Sequence, residues 1–163
     1  MTSTGMTVDA FLCDGVQAVG GKLYALGIGW NLINTAALPA QHSRIGIGML
    51  IHVPYTATNQ NHKFVVQINS EDGGVVPLAT AAEGSDPRVV ENGRVVRLGG
   101  EFNVGRPPEL THGDEQIVPL AVHLDMVEFE QPGLYSVMVL VDGSEAARLP
   151  FRIRQVPQIT YGG

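Results

Sequence analysis

Arg44-Ile45-Gly46-Ile47-Gly48-Met49-Leu50-Ile51-His52-Val53 is the stretch that decides the fold. Large apolar side chains fall on every second residue: Ile45, Ile47, Met49, Ile51 and Val53. Gly46, Gly48 and His52 take alternate positions. A period of two puts the first set on one face of a pleated strand and the second set on the other. The same alternation recurs outward on both sides. Residues 22–34 place Tyr24, Leu26, Ile28, Trp30 and Leu32 in one parity, with Ala25, Gly27, Gly29 and Asn31 between them. Residues 62–70 alternate Phe64, Val66 and Ile68 with Lys63, Gln67 and Asn69. The Glu71-Asp72-Gly73-Gly74 step that follows has the residues of a hairpin turn.

Further along, residues 94–104 carry Val96, Leu98, Phe102 and Val104, and residues 116–124 carry Val118, Leu120, Val122 and Leu124. Pro119 cannot donate to a ladder, which predicts an edge strand or a bulge there. Residues 134–141 are apolar in both parities, the mark of a central or doubly covered strand. After the Asp142-Gly143 turn, Leu149, Phe151 and Ile153 alternate with Arg148, Arg152 and Arg154. A first strand falls around residues 7–19. Residues 78–93 have no period and read as a long loop. The expectation is an all-β chain: one antiparallel β-sandwich of about eight strands, immunoglobulin-like or jelly-roll-like, spanning 1–163 with its core in 8–154. Trp30 is expected in that core. Pro132-Gly133 followed by Tyr135 looks like the tyrosine corner of immunoglobulin-like domains, the plainer alternative being one more inward aromatic.

The chain has 163 residues, 44% of them apolar and 16% charged, with 20 glycines. A typical soluble domain carries about 25% charged residues, so this surface is sparsely charged. The composition excludes a disordered chain, a coiled coil and a disulfide scaffold. A net charge of −6 with no basic run disfavours phosphate backbones and anionic membranes as partners. Cys13 stands alone, and Met1 to Met6 show neither a basic start nor a long apolar run. The expectation is no signal peptide, no membrane span and a cytoplasmic protein.

Several phrases occur together in order: Cys13-Asp14, Gly21-Lys22-Leu23-Tyr24, Gly27-Ile28-Gly29-Trp30 and Val53-Pro54-Tyr55 with Asn59 and His62. Phe102-Asn103-Val104-Gly105-Arg106-Pro107-Pro108, Val118-Pro119-Leu120, Gly133-Leu134-Tyr135 and Leu149-Pro150-Phe151 complete them. Over residues 8–154 this order resembles an uncharacterised family of small bacterial proteins, common in actinobacteria and known only as a domain of unknown function. The resemblance implies a compact β-sandwich and no activity or ligand. The family pattern has Trp and then acidic residues after the proline; Tyr55-Thr56-Ala57-Thr58 stands there instead.

No phosphate-binding glycine loop and no nucleophile elbow is present. Gly143-Ser144 is a turn, and Cys13 lies in an apolar run without basic neighbours. His42, His52 and His62 invite a metal reading, but pairing residues 44–53 with 62–69 as a hairpin puts His52 and His62 on opposite sides of a sheet. His123 with Asp125, and His112 with Asp114 and Glu115, each offer part of a ligand set. The expectation is a non-catalytic interaction or structural module, with no cofactor and no metal, and with a protein partner or a second copy of itself. The alternative is a binder of small ligands or carbohydrate through loops 54–61 and 105–115, using Tyr55, Asn59, His62 and Arg106. The simpler reading of His62 is a brace for its loop, and of Asn59 an Asx turn on its own backbone. Self-association is expected across a smooth strip of Ala25, Gly27, Gly29, Gly46 and Gly48, if their two strands pair.

Overall fold

A computed structural model describes residues 5–157. Along β5 (Ala40–Pro54) the alternation is the buried one, with Ile45, Ile47, Met49, Ile51 and Val53 wholly inside. β5 lies between β1 (Thr7–Cys13) and β12 (Glu115–Phe129), antiparallel to both. Among the described residues β12 has β5 as its only ladder partner, so Pro119 sits on an edge strand. Met126, at φ +59°, drops out of the ladder between Asp125 and Val127, and the same register resumes beyond it.

A second sheet runs in the order β11 (Leu98–Asn103), β6 (Asn61–Ser70), β13 (Gly133–Val141), β14 (Ser144–Gln155), β4 (Leu32–Thr35). The short β7 (Val75–Val76) pairs with β6 across the turn at Gly73. The doubly apolar strand β13 is central, as its composition predicts. Inner residues of both sheets meet in one cluster, which joins Ile45, Ile47 and Met49 to Val66, Ile68, Val137, Val139 and Phe151. Burying a side chain of this size contributes about 1.5–3 kcal/mol, so this shared cluster is what holds the sheets together. Tyr135 lies near the start of β13, and its hydroxyl donates to Gln131 O at 2.6 Å, the bond a tyrosine corner requires.

The expectation of about eight strands in one antiparallel arrangement needs correction. The chain is all-β, but its strands number 14 among the described residues and fall in several sheets, and β4 runs parallel to β14. Residues 78–93, expected as a loop, contribute to a small sheet of β8 (Ala79–Thr80), β9 (Val90–Glu91) and β10 (Arg94–Val95). The presumed 7–19 strand bends at Asp14 into β1 and β2 (Gly15–Val19). The presumed 22–34 strand also divides. Gly27 and Gly29 have φ of +69° and +101°, a region open to glycine, and the chain leaves β3 (Lys22–Leu26) there for β4 in another sheet. Among the described residues β3 has β2 as its only ladder partner, and its outer face is exposed. Tyr24, Leu26 and Ile28, expected inside, are 58%, 79% and 58% exposed. Trp30 is half-buried against the core, edge-on to Phe151 at 6.1 Å, with no partner for its Nε1–H among the described residues. β5 and β6, expected to pair as a hairpin, lie in different sheets.

Candidate functional site

The four residues singled out for ligand binding do converge, at the end of the molecule where β5 hands over to β6. Pro54 ends β5 and a single 3-10 turn, Tyr55–Ala57, starts the crossing. Asn59 adopts φ +58°, donates its N–H to Val104 O at 2.7 Å, and accepts Arg106 N–H on Oδ1 at 3.1 Å. Its side chain therefore ties two loops together and does not close an Asx turn on its own backbone. Arg106 donates Nε–H to Thr58 Oγ1 at 2.7 Å and Nη2–H to Tyr55 O at 3.0 Å. Its guanidinium carbon lies 4.1 Å from the centre of the Tyr55 ring, and the His112 ring lies 4.1 Å from the same centre.

His62 opens β6 and is 2% exposed. Its Nε2 faces Ala57 O at 2.7 Å, and a carbonyl can only accept, so that nitrogen carries hydrogen. Its Nδ1 meets Asp142 Oδ2 at 2.7 Å. The other oxygen of Asp142 accepts Lys63 N–H at 2.9 Å. Asp142 and Gly143 both have positive φ, which suits the tight turn between β13 and β14. One residue thus makes a hairpin turn and clamps a buried histidine. The Asp-Gly pair signals the turn in sequence; the clamp has no local signal, because its partner lies 80 residues away. The cluster's donors and acceptors are largely bonded to each other. The arrangement braces two loops, and its phenol ring is already in contact with two neighbours.

The five small residues expected to form one strip are not brought together. Ala25 lies on β3 and Gly27 and Gly29 just beyond it, while β3 is not paired with β5. Gly46 and Gly48 are buried beneath the chain itself. A Cβ on Gly48 would stand 2.3 Å from Phe11 Cζ, and one on Gly46 2.8 Å from Cys13 Sγ. Gly27 similarly makes room for the Asp14 carboxylate. What approaches closely is this chain's own β1 and the bend after it.

His52 and His62 are far apart in role as well as in sheet. His52 lies on the outer face of β5 between Asp9 and Glu115, with each ring nitrogen 2.8 Å from a carboxylate oxygen. Those hydrogen bonds, Glu115 first and Asp9 second, raise its pKa. His123 Nε2 accepts Val16 N–H at 3.1 Å and so anchors β2 across β12. Asp125 is held by Arg44, and Asp114 by Thr111. Among the described residues no group of three or more His, Cys, Asp and Glu side chains is arranged to hold a metal. Burial, helped by the Asp14 charge, pushes the Cys13 thiol up, which favours the inert form.

The opposite end of the six-stranded sheet carries a groove of about 710 Å³ that no sequence motif singles out. The β6–β7 turn, the end of β12 and the tyrosine corner line it. Phe129 and Tyr135, buried and 5.0 Å apart edge to face, form its inner part together with Val76. Glu71, Asp72, Glu128 and Glu130 line it with a single cation, Arg94. Asp72 is held by Ser70 Oγ and Gly74 N. The side chains of Glu128, Glu130 and Arg94 have no hydrogen-bond or ion-pair partner among the described residues. Burial raises the Tyr135 pKa, and the charges of Asp72 and Glu130 add to it.

Comparison with solved structures gives distant likenesses. A DNA glycosylase for alkylpurines from Pseudomonas fluorescens, AlkC, bound to DNA with an abasic-site analogue, is 14% identical over 91% of this chain and 30% of its own, at a TM-score of 0.44. A beta-glucosidase from Listeria innocua in complex with glucose is 8% identical over 94% of this chain and 17% of its own, at 0.42. This chain therefore spans under a third of either protein. No curated protein matches. The sequence profile of a family of unknown function matches residues 8–154.

Proposed function

The chain belongs to that family, DUF6941, and from this premise we propose that it is a non-catalytic binding module, an immunoglobulin-like β-sandwich that holds its partner in the groove at the tyrosine corner. The sandwich reading is supported by two sheets sharing one core and by the Tyr135 bond to Gln131. The observation that carries the binding reading is the groove itself. It has the size of a ligand site, an apolar interior and a few unpaired polar groups at its mouth. The loop cluster at the far end favours a brace over a second site, since Arg106, Asn59 and His62 are bonded within the chain.

A non-enzymatic role is supported by the same bonding: the histidines placed near carboxylates join strands and loops. A cytoplasmic setting, away from nucleic acid and membrane, is supported by one buried thiol and a net charge of −6. Among the described residues no helix is long and apolar enough to cross a membrane.

The test is protein-observed NMR with a library of small apolar and amphipathic fragments. Shifts concentrated at Val76, Leu134 and Tyr135, and lost in Leu134→Arg, are expected. Shifts gathered at Tyr55 and Arg106, or nowhere, overturn the reading. A second reading, self-association, is favoured by the uncovered outer face of β3, where Leu26 is 79% exposed and Tyr24 58%. Light scattering of the wild type and of Leu26→Glu decides it: a monomeric wild type at high concentration ends the idea.

A further inference from the structure

Resting on the groove reading, we propose that the ligand is a peptide segment of a partner protein that presents a lysine or arginine next to an apolar residue. Two features of the groove ask for two different chemistries in one ligand. Its interior is apolar and aromatic: Val76, Phe129 and Tyr135 are buried, and Leu134 stands at 36% exposure beside them. Its mouth is anionic, with Glu71, Asp72, Glu128 and Glu130 against Arg94. Lysine and arginine satisfy both demands, because the methylene stem lies along apolar surface while the cationic head stays at the polar rim. A free ammonium or metal ion would leave the apolar interior unfilled. A neutral apolar ligand would leave the carboxylates uncompensated.

The field at the groove is felt by the chain's own groups, since Asp72 and Glu130 both raise the Tyr135 pKa, after burial. Glu128 and Glu130 are exposed and their carboxylates have no partner among the described residues, so an incoming cation displaces no ion pair there. The Arg94 guanidinium, equally unpartnered among the described residues, can donate to a peptide carbonyl or carboxylate beside the cation. The wall is pre-shaped. The Tyr135 hydroxyl holds Gln131 O at 2.6 Å, Pro132 follows, and Leu134 N–H reaches Glu71 Oε2 at 3.5 Å. A wall already ordered lowers the entropic cost of binding. At about 710 Å³ the groove takes more than one side chain, which fits a short segment better than a lone cation.

The experiment uses fluorescence polarisation with three labelled nine-residue peptides that differ at alternate positions, Arg-Leu, Gln-Leu and Glu-Leu, and free arginine methyl ester as competitor. The expected result is at least tenfold tighter binding of the Arg peptide than of the Gln peptide in low salt, and no binding of the Glu peptide. The gap should narrow as salt rises, since exposed charges are screened. Glu128→Gln/Glu130→Gln should weaken the Arg peptide at least fivefold, with an unchanged melting temperature. NMR shifts on titration should map to Val76, Leu134 and Tyr135. If Arg and Gln peptides bind alike and still shift those residues, the cationic class is wrong and the groove reading stands. If the competitor binds as tightly as the peptide, the peptide is wrong and the cation stands. If no peptide shifts the groove residues, both this proposal and the groove reading fall.

Discussion

Removing the His62 side chain separates the two roles its position allows. As a ligand contact, an imidazole at a rim contributes little to stability. As a brace, it does two jobs in a site 2% exposed: Nε2–H holds Ala57 O and Nδ1 holds Asp142, both at 2.7 Å. In His62→Ala the carbonyl and the carboxylate lose their partner, at about 1–3 kcal/mol for each group left unsatisfied. The loss of packing against Phe102, whose ring lies 5.4 Å away, adds to this. The sum is about 3–5 kcal/mol, in the range for breaking a buried pair from one side. Asp142→Ala should cost less, about 2–3 kcal/mol, because Asp142 is partly exposed and water replaces part of what it gave. The two changes remove one shared contact, so the double variant should show a coupling of at least about 1 kcal/mol. Urea denaturation of the four proteins at pH 7, with midpoints and slopes fitted, measures this. A His62→Ala cost under about 1 kcal/mol, the size of an ordinary surface change, would refute the brace. So would a coupling near zero, since the pair would then not be a unit.

Gly48→Ala puts a methyl where the Phe11 ring lies and should cost about 1–3 kcal/mol in urea melts by overpacking; a neutral result would mean that Phe11 does not cover β5. Tyr135→Phe removes the hydroxyl donated to Gln131 O and should cost about 1–2 kcal/mol by the same measure while leaving the sheets intact by circular dichroism. His52 has a raised pKa from Glu115 and Asp9, so its contribution is fully present below the unfolded value of about 6.5 and is lost as pH rises through the folded value. The melting temperature of the wild type should therefore exceed that of His52→Gln most at pH 5.5, and the difference should shrink by pH 9; a gap that widens with pH would place the imidazole in its neutral form.

The all-β character, the burial of β5 and the central place of β13 follow from the sequence alone. A period of two is a local property, and it acts wherever one strand face is covered. The Pro119 edge was legible for an equally local reason, the missing N–H. So was the Tyr135 corner, whose bond spans only four residues. The same local logic misread residues 22–34. Alternation says that two faces differ but not which one is covered, and nothing within that stretch reveals that β3 pairs with β2 and with no other described strand. Leu26 therefore points outward although its parity matches Trp30. Asn59, His62 and Arg106 were visible as polar residues in loops, yet their roles depended on partners 47 to 80 residues away. Gly46 and Gly48 marked a close approach, and only the register of β1 showed that Phe11 and Cys13 make it. The acidic groove had no trace in the sequence, because its lining comes from three separated segments that tertiary packing alone brings to one end of the sheet. Pairing over long sequence separations decides which side chains share a space, and that is the part of the molecule where a partner can be recognised.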